Sequence, residues 1–283
     1  MTVTSYFRPE SVPEALSLLS SHGPDLLVIA GGTIAMPLIN EGISLPRMVM
    51  GLRRAGLDTF ERIGDELHIG ATLPLTRLTL QDDVPLLRDA ALRTASWSIR
   101  NMGTVGGNLF APPPAGDVAT ALLALDARVR ITGPTGTRDV ALDDFYTGFL
   151  TNVLRDDELV TSIVVPIANA PAVFLKFGRK QANTPAVVTV AVSATTNGGT
   201  VSAARIALGA AGAHPLRVRR AEVAIVGTTL GTTDISAAAN AAAEDCEPFT
   251  DAIASEWYRR RMVALFVERA LIQLAAKSQG KEA

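Results

Sequence analysis

The feature that most constrains this chain is a glycine pair placed directly behind a short apolar run. Asp25 to Ala30 (DLLVIA) carries β-branched residues at strand length and stops at Gly31-Gly32, so it reads as a buried strand delivering the chain into a tight turn. A second pair lies in Thr104-Val105-Gly106-Gly107-Asn108, preceded by Ile99 to Gly103 and followed by Pro114 and Asp117. Paired glycines let a backbone approach a ligand closely and adopt positive φ. Consecutive N–H groups then converge into a concavity for an anion, and a nearby threonine hydroxyl adds a donor. Two such loops can hold a pyrophosphate from two sides, with Asn108 and Asp117 available to ribityl, ribose or phosphate groups. A strand-Gly-Gly turn is also a common structural device, and Asp117 is equally at home as an N-terminal helix residue. The G-x-G-x-x-G fingerprint and the G-x-x-x-x-G-K-[ST] loop are both missing, so a nucleotide site here is of another kind.

Around these loops the first 165 or so residues alternate short strand-like and helix-like stretches. Ser11-Val12-Pro13-Glu14 reads as a capping box opening a helix through Leu19, with Gly23 beyond its end. Met48–Leu52 reads as a strand, and Phe60–Ile63 with Leu67–Ala71 as a hairpin about Gly64-Asp65. A helix is expected over Leu86–Ser96 and another over Asp117–Asp126. Val129–Thr132 and Arg138–Leu142 flank the turn Gly133 to Gly136, and Glu158–Pro166 closes the region as a strand. Pro166 to Pro171 marks a boundary. Beyond it Val187–Thr195 and Val201–Leu208 are strands joined by Asn197-Gly198-Gly199, followed by helices at Arg219–Val226, Ile235–Glu244 and about Ser255–Lys277.

Composition removes several function classes. A net charge of −2 over 283 residues gives no broad footprint for nucleic acid, and Arg217, Arg219, Arg220 and Arg259–Arg261 read as solvated faces. Cys246 is the single cysteine, so the chain can build neither an internal disulfide nor an iron–sulfur or structural zinc site of its own. His22, His68 and His214 are scattered without ligand spacing, and no G-x-S-x-G elbow is present. No metal site and no catalytic acid or base is expected. The opening lacks a basic segment leading into an apolar core, and no apolar run is long enough for a membrane span, so the cytoplasm is the expected location.

IRNMGTVGGNLFAPPPAGDVATALLALDA resembles the FAD-binding segment of the molybdenum hydroxylase (xanthine dehydrogenase and carbon monoxide dehydrogenase) family, and VIAGGTIAMPLI resembles its other flavin loop. The likeness extends through YFRPESVPEALSLL, IGATLPLTRL, DFYTGFLTNVLRDDELVTSIVVP, FLKFGRKQANTPAVVTVAVSA, RIALGAAGAHPLR and the final helix. T-x-G-G-N with Asp117 nine residues later is its most specific element.

The resemblance implies an α+β chain: a two-subdomain, PCMH-type FAD-binding fold over 1–168, split near 55–60, then a smaller domain over 169–283 with an antiparallel sheet and helices. It implies that Val28, Ile29, Ala30, Gly31, Gly32, Thr33, Ile34 and Ala35 wrap the FAD diphosphate, while Thr104, Val105, Gly106, Gly107 and Asn108 close from the other side. Asp117 would meet a sugar or ribityl hydroxyl, Val160 or Thr161 the flavin ring system, and Lys176 the neighbourhood of the cofactor, unless it is a surface lysine. The chain departs from the family at Ile34, where many members have a polar residue, and at Asn183-Thr184-Pro185-Ala186, where many carry an acid. APPPAGD is richer in proline than usual, which stiffens the approach to Asp117.

The family relays electrons from a molybdenum centre through two [2Fe–2S] clusters to FAD and an acceptor. Lacking cluster cysteines and a molybdopterin domain, this chain is similar to the separate medium subunit of a three-subunit enzyme. The implied partners are a small [2Fe–2S] subunit and a large molybdenum subunit, arranged as a dimer of heterotrimers. Two other readings stay open: a stand-alone FAD-dependent oxidoreductase acting on a small soluble substrate, and a flavin-free scaffold. The organic substrate and the acceptor are not legible in this chain.

Overall fold

A strand does precede the first glycine pair, and it belongs to a small parallel sheet. The computed structural model describes residues 3–168 and 170–278. In it β1 (Ser5–Phe7), α1 (Val12–His22), β2 (Leu26–Ile29), α2 (Ala35–Asn40) and β3 (Met48–Gly51) follow one another, with the strands in the order β1-β3-β2. Parallel neighbours need crossover connections, and α1 and α2 lie in them. Ser11 caps α1 by accepting from the Glu14 N–H. The Glu14 carboxylate reaches back to the N–H of Glu10 instead of Ser11, so only half of the expected capping box forms. The helix runs on to His22, three residues past Leu19, and Gly23 ends it at φ 53°. Ala15, Leu19, Leu26, Met50 and Leu52 make its core.

The next region is built on an antiparallel sheet. It contains β4 (Phe60–Ile63), β5 (Glu66–Gly70), α3 (Leu75–Leu78), α4 (Pro85–Arg93), α5 (Trp97–Met102), α6 (Val105–Leu109) and α7 (Asp117–Ala124). It continues through β6 (Arg128–Gly133), β7 (Gly136–Ala141), α8 (Leu142–Phe145), β8 (Tyr146–Gly148), β9 (Thr151–Asn152) and β10 (Leu159–Pro166). The sheet order is β4-β5-β10-β6-β7. Leu67, Ile69, Leu122, Ile131, Phe145 and Ile163 form the centre of its core. The helix expected over Leu86–Ser96 is α4, which ends three residues early at Arg93; α5 is a separate helix that begins just beyond Ser96. Arg100 donates to the carbonyls of Thr94 and Ala95 and holds a turn in which Ala95 has φ 48°, and Ser96 then caps α5. Side-chain hydrogen bonds from Arg100, five and six residues on, override the periodicity here.

The last region comprises β11 (Ala172–Gly178), β12 (Ala186–Asn197), β13 (Thr200–Gly209), β14 (Leu216–Arg217), α9 (Arg219–Ile225), α10 (Thr232–Asp245) and α11 (Glu256–Ser278). Its strands pair antiparallel in chain order. Gly198 and Gly199 both adopt positive φ at the β12–β13 turn, as a tight hairpin requires. The first nine residues of β12 are all buried. α11 lies against β12 on one side and α7 of the preceding region on the other, which covers both faces of the strand. All eight residues of α7 are buried for the same reason: it also packs against α4. Asp126, just past α7, pairs with Arg205 and Arg217 of the last region. No helix among the described residues is long and apolar enough to cross a membrane.

Candidate functional site

The three regions meet around one cleft of about 730 Å³, within the size of ordinary small-molecule sites. Val28 through Ala35 all line it. Gly31 has no room for a side chain: a Cβ there would lie 2.1 Å from the Met102 carbonyl oxygen. This glycine lets the β2–α2 turn rest on the backbone where α5 ends. Gly32 instead serves the turn itself, at φ 73°. Beyond it the first bond into α2 is Met36 N–H to Gly32 O, and Ile34 offers no side-chain cap. The N–H groups of Gly31, Gly32, Thr33, Ile34 and Ala35 therefore donate to no acceptor among the described residues. Unpaired consecutive N–H groups at a turn leading into a helix make a site for an anion.

The second glycine segment corrects the expectation of a second donor loop. Thr104 to Asn108 is the capped start of α6, and the N–H groups of Val105 to Asn108 are already engaged. The N–H of Val105 goes to Leu73 O at 3.0 Å, that of Gly106 to Ala71 O at 2.9 Å, and that of Asn108 to Thr104 O at 3.0 Å. The Gly107 N–H goes to Thr104 Oγ1 at 3.0 Å. Gly106 is again a close-approach glycine, since a Cβ would stand 2.7 Å from Ala71 O. Thr104, Gly106, Gly107 and Asn108 line the cleft, whereas Val105 is fully buried behind them. Asn108 Oδ1 accepts from the Ala119 N–H at 3.0 Å, tying α6 to the first turn of α7. This segment is a preformed wall.

Asp117 opens α7 at the floor of the cleft, 4% exposed. Its Oδ2 accepts from Lys176 Nζ at 2.6 Å, and Lys176 also donates to Arg93 O at 3.1 Å. Lys176 is thus no surface residue: it lines the cleft, two of its three ammonium hydrogens are engaged, and it comes from β11 and binds the last region to the cleft floor. Asp117 Oδ1 is buried and makes no hydrogen bond, the neighbouring Thr94 hydroxyl being donated to Ala90 O. Burial pushes the Asp117 carboxyl above the ordinary carboxylate range, opposed by the Lys176 ammonium.

Val160 lines the cleft and Thr161 does not. Thr161 sits in the bulge of β10 between Val160 and Ser162, and its hydroxyl lies against Thr132 Oγ1 and Arg130 O. Glu158, which the sequence reading did not single out, lines the cleft in a two-bonded pair with Arg138. Those bonds hold the Glu158 carboxyl below its ordinary value. Asn183, Thr184 and Pro185 also line the cleft, and so does Thr72. The only signal for Thr72 was its place inside IGATLPLTRL. No group of three or more metal-ligating side chains stands together among the described residues.

The comparisons with known proteins agree with this geometry. Residues 2–168 match the FAD binding domain in molybdopterin dehydrogenase, and residues 172–274 the CO dehydrogenase flavoprotein C-terminal domain. The chain is 31% identical to the 6-hydroxypseudooxynicotine dehydrogenase complex subunit alpha of Paenarthrobacter nicotinovorans, over 94% of this chain and 92% of that one. It is 30% identical to the carbon monoxide dehydrogenase medium chain of Afipia carboxidovorans, over 97% of each. The solved carbon monoxide dehydrogenase from Hydrogenophaga pseudoflava that lacks the Mo-pyranopterin moiety superposes with a TM-score of 0.93 at 31% identity, covering 97% of this chain and 98% of that one. The chain belongs to the FAD-binding medium subunits of the molybdenum hydroxylases, a family of oxidoreductases.

Proposed function

We propose that this subunit takes electrons from the [2Fe–2S] clusters of a small partner subunit and passes them to an external acceptor. A large molybdenum subunit completes the heterotrimer, and two heterotrimers pair. Support for partner subunits comes from relatives named as a medium chain, a medium subunit and an FAD-subunit. In this reading 1–168, divided near 55–60, is the two-subdomain cofactor-binding part and 169–283 the C-terminal domain. The lone cysteine agrees with a cytoplasmic setting.

The observation that carries the reading is the row of unpaired N–H groups at Gly31–Ala35, set in a cleft whose floor holds the unpartnered Asp117 Oδ1. The diphosphate is the anion that fits the first, and a ribose or ribityl hydroxyl the hydrogen-bond donor that fits the second. Thr104 to Asn108 then act as a wall, with Thr104 offering its hydroxyl and Val105 backing the wall from the core. Val160 supplies apolar surface toward the ring system, while Thr161 braces the sheet behind it. FAD supplies reversible redox chemistry when bound. The protein positions it, shields it from water and balances the Asp117 charge through Lys176.

The test is the purified full chain. It should be yellow and release one FAD per chain on denaturation, and the Gly32→Val, Gly107→Val double variant should lose that FAD. Stoichiometric FAD in the double variant would mean that the glycine turns are only structural. A stand-alone oxidoreductase would turn over an organic substrate unaided. The expected result is no such turnover, with electrons entering only after the cluster-bearing subunit is added.

A further inference from the structure

Among the described residues, the buried side-chain polar atoms without a hydrogen-bond partner are Thr72 Oγ1, Asp117 Oδ1, Arg205 Nε and Arg259 Nε. Both arginines have their charge engaged elsewhere. Arg205 pairs with Asp126, and Arg259 donates to the carbonyls of Ala186, Val187 and Ala210 and to Asp251. Thr72 and Asp117 remain, and both line the same cleft.

Thr72 is 5% exposed. A buried hydroxyl without a partner is unfavourable, and threonine usually avoids it by bonding to nearby backbone. Thr72 makes no such bond, and its backbone is not free to move toward one. Its N–H is fixed to Leu57 O at 2.8 Å in the link between the first two sheets. On one side, Ala71 donates to Thr161 O at 3.0 Å and accepts from Gly106; on the other, Leu73 accepts from Val105. The hydroxyl is therefore held at the seam where the β2–β3 region, the β4–β10 sheet and α6 join. Such rigid placement of an unpaired group in a cleft is the mark of preorganised ligand contact.

We propose that Thr72 is a further cofactor-binding residue, whose hydroxyl donates to an acceptor atom of the bound FAD while Asp117 Oδ1 accepts from a hydroxyl of the same molecule. This rests on the FAD reading above. The contact makes opposite demands on the free and loaded protein, and the test uses that opposition. FAD is titrated into the deflavinated full chain and its Thr72→Val and Thr72→Ser variants, and each is melted with and without FAD. Thr72→Val should bind FAD about tenfold more weakly, as expected for the loss of one buried hydrogen bond. Without FAD the same variant should melt at a higher temperature than the parent, because an unpaired buried hydroxyl has been replaced by a methyl group. Thr72→Ser should bind within about threefold of the parent, since it keeps the donor and loses only a methyl contact. Parent-like FAD affinity in Thr72→Val would overturn the proposal while leaving the FAD reading intact. A parent chain that binds no FAD would overturn both.

Discussion

Gly31-Gly32 and Gly106-Gly107 look alike in the sequence and differ in what surrounds them. In each pair the first glycine makes room for backbone: Gly31 for the Met102 carbonyl, Gly106 for that of Ala71. The difference lies in the N–H groups. Those from Gly31 to Ala35 have no acceptor among the described residues, while those from Val105 to Asn108 are bonded within the chain. A glycine pair thus reports close packing in both places and donor availability in only one. Telling the two apart requires knowing which carbonyls lie opposite, and that is a tertiary fact.

The largest effect expected bears on what both segments enclose. Lys176→Met leaves the Asp117 carboxylate buried without its cation, and should cost about 4 kcal/mol at pH 7. Burial already raises the folded-state value of Asp117 above that of the unfolded chain. The folded chain therefore keeps its proton to higher pH, and Asp117 lowers stability as pH rises through that interval. Without the lysine the interval widens, so the deficit of the variant should shrink from pH 7 toward pH 4.5 in urea denaturation. A pH-independent deficit would mean that the lysine acts by packing alone.

Gly31→Ala should cost about 3 kcal/mol, because the added methyl group meets a backbone carbonyl at 2.1 Å. Gly106→Ala should cost somewhat less, having 2.7 Å to Ala71 O. Thermal melts that rank them the other way would break the parallel between the inner glycines. Gly32→Ala meets only the Met36 side chain and should cost about 1 kcal/mol, from its left-handed backbone alone. Thr104→Ala should likewise cost about 1 kcal/mol through the lost cap. The finest test is amide exchange. Added FAD should slow exchange at Gly32 to Ala35 and leave Val105 to Asn108 nearly unchanged. Equal slowing in both segments would dissolve the distinction between donor loop and wall.

Much of the scaffold was readable because its signals are local. The run into Gly31, the Gly64 and Gly198-Gly199 hairpins and the helix over Glu256–Ser278 each follow from neighbouring residues. The helical state of Val105–Leu109 was hidden because glycines disfavour helix, and it is held by carbonyls of Ala71 and Leu73 more than thirty positions away. Val160 and Thr161 stay alternatives in the sequence because the bulge of β10 between Val160 and Ser162 is fixed by its pairing with β6, which lies outside the local pattern. The bond from Lys176 to Asp117 spans 59 residues and two domains, which no local pattern encodes. Thr72 is a single threonine in an apolar stretch, visible only once its lack of a partner is seen.

The Lys176–Asp117 bond also limits how this chain can be recombined. The two family models meet between residues 168 and 172, which invites treating the halves as exchangeable modules. Yet the cation that makes a buried carboxylate tolerable in the first half is supplied by the second. A hybrid joining the first half to a C-terminal half without a lysine at that strand position would inherit an uncompensated charge at the floor of its cleft. The two halves can diverge in surface and partner, but at this one point they are obliged to change together.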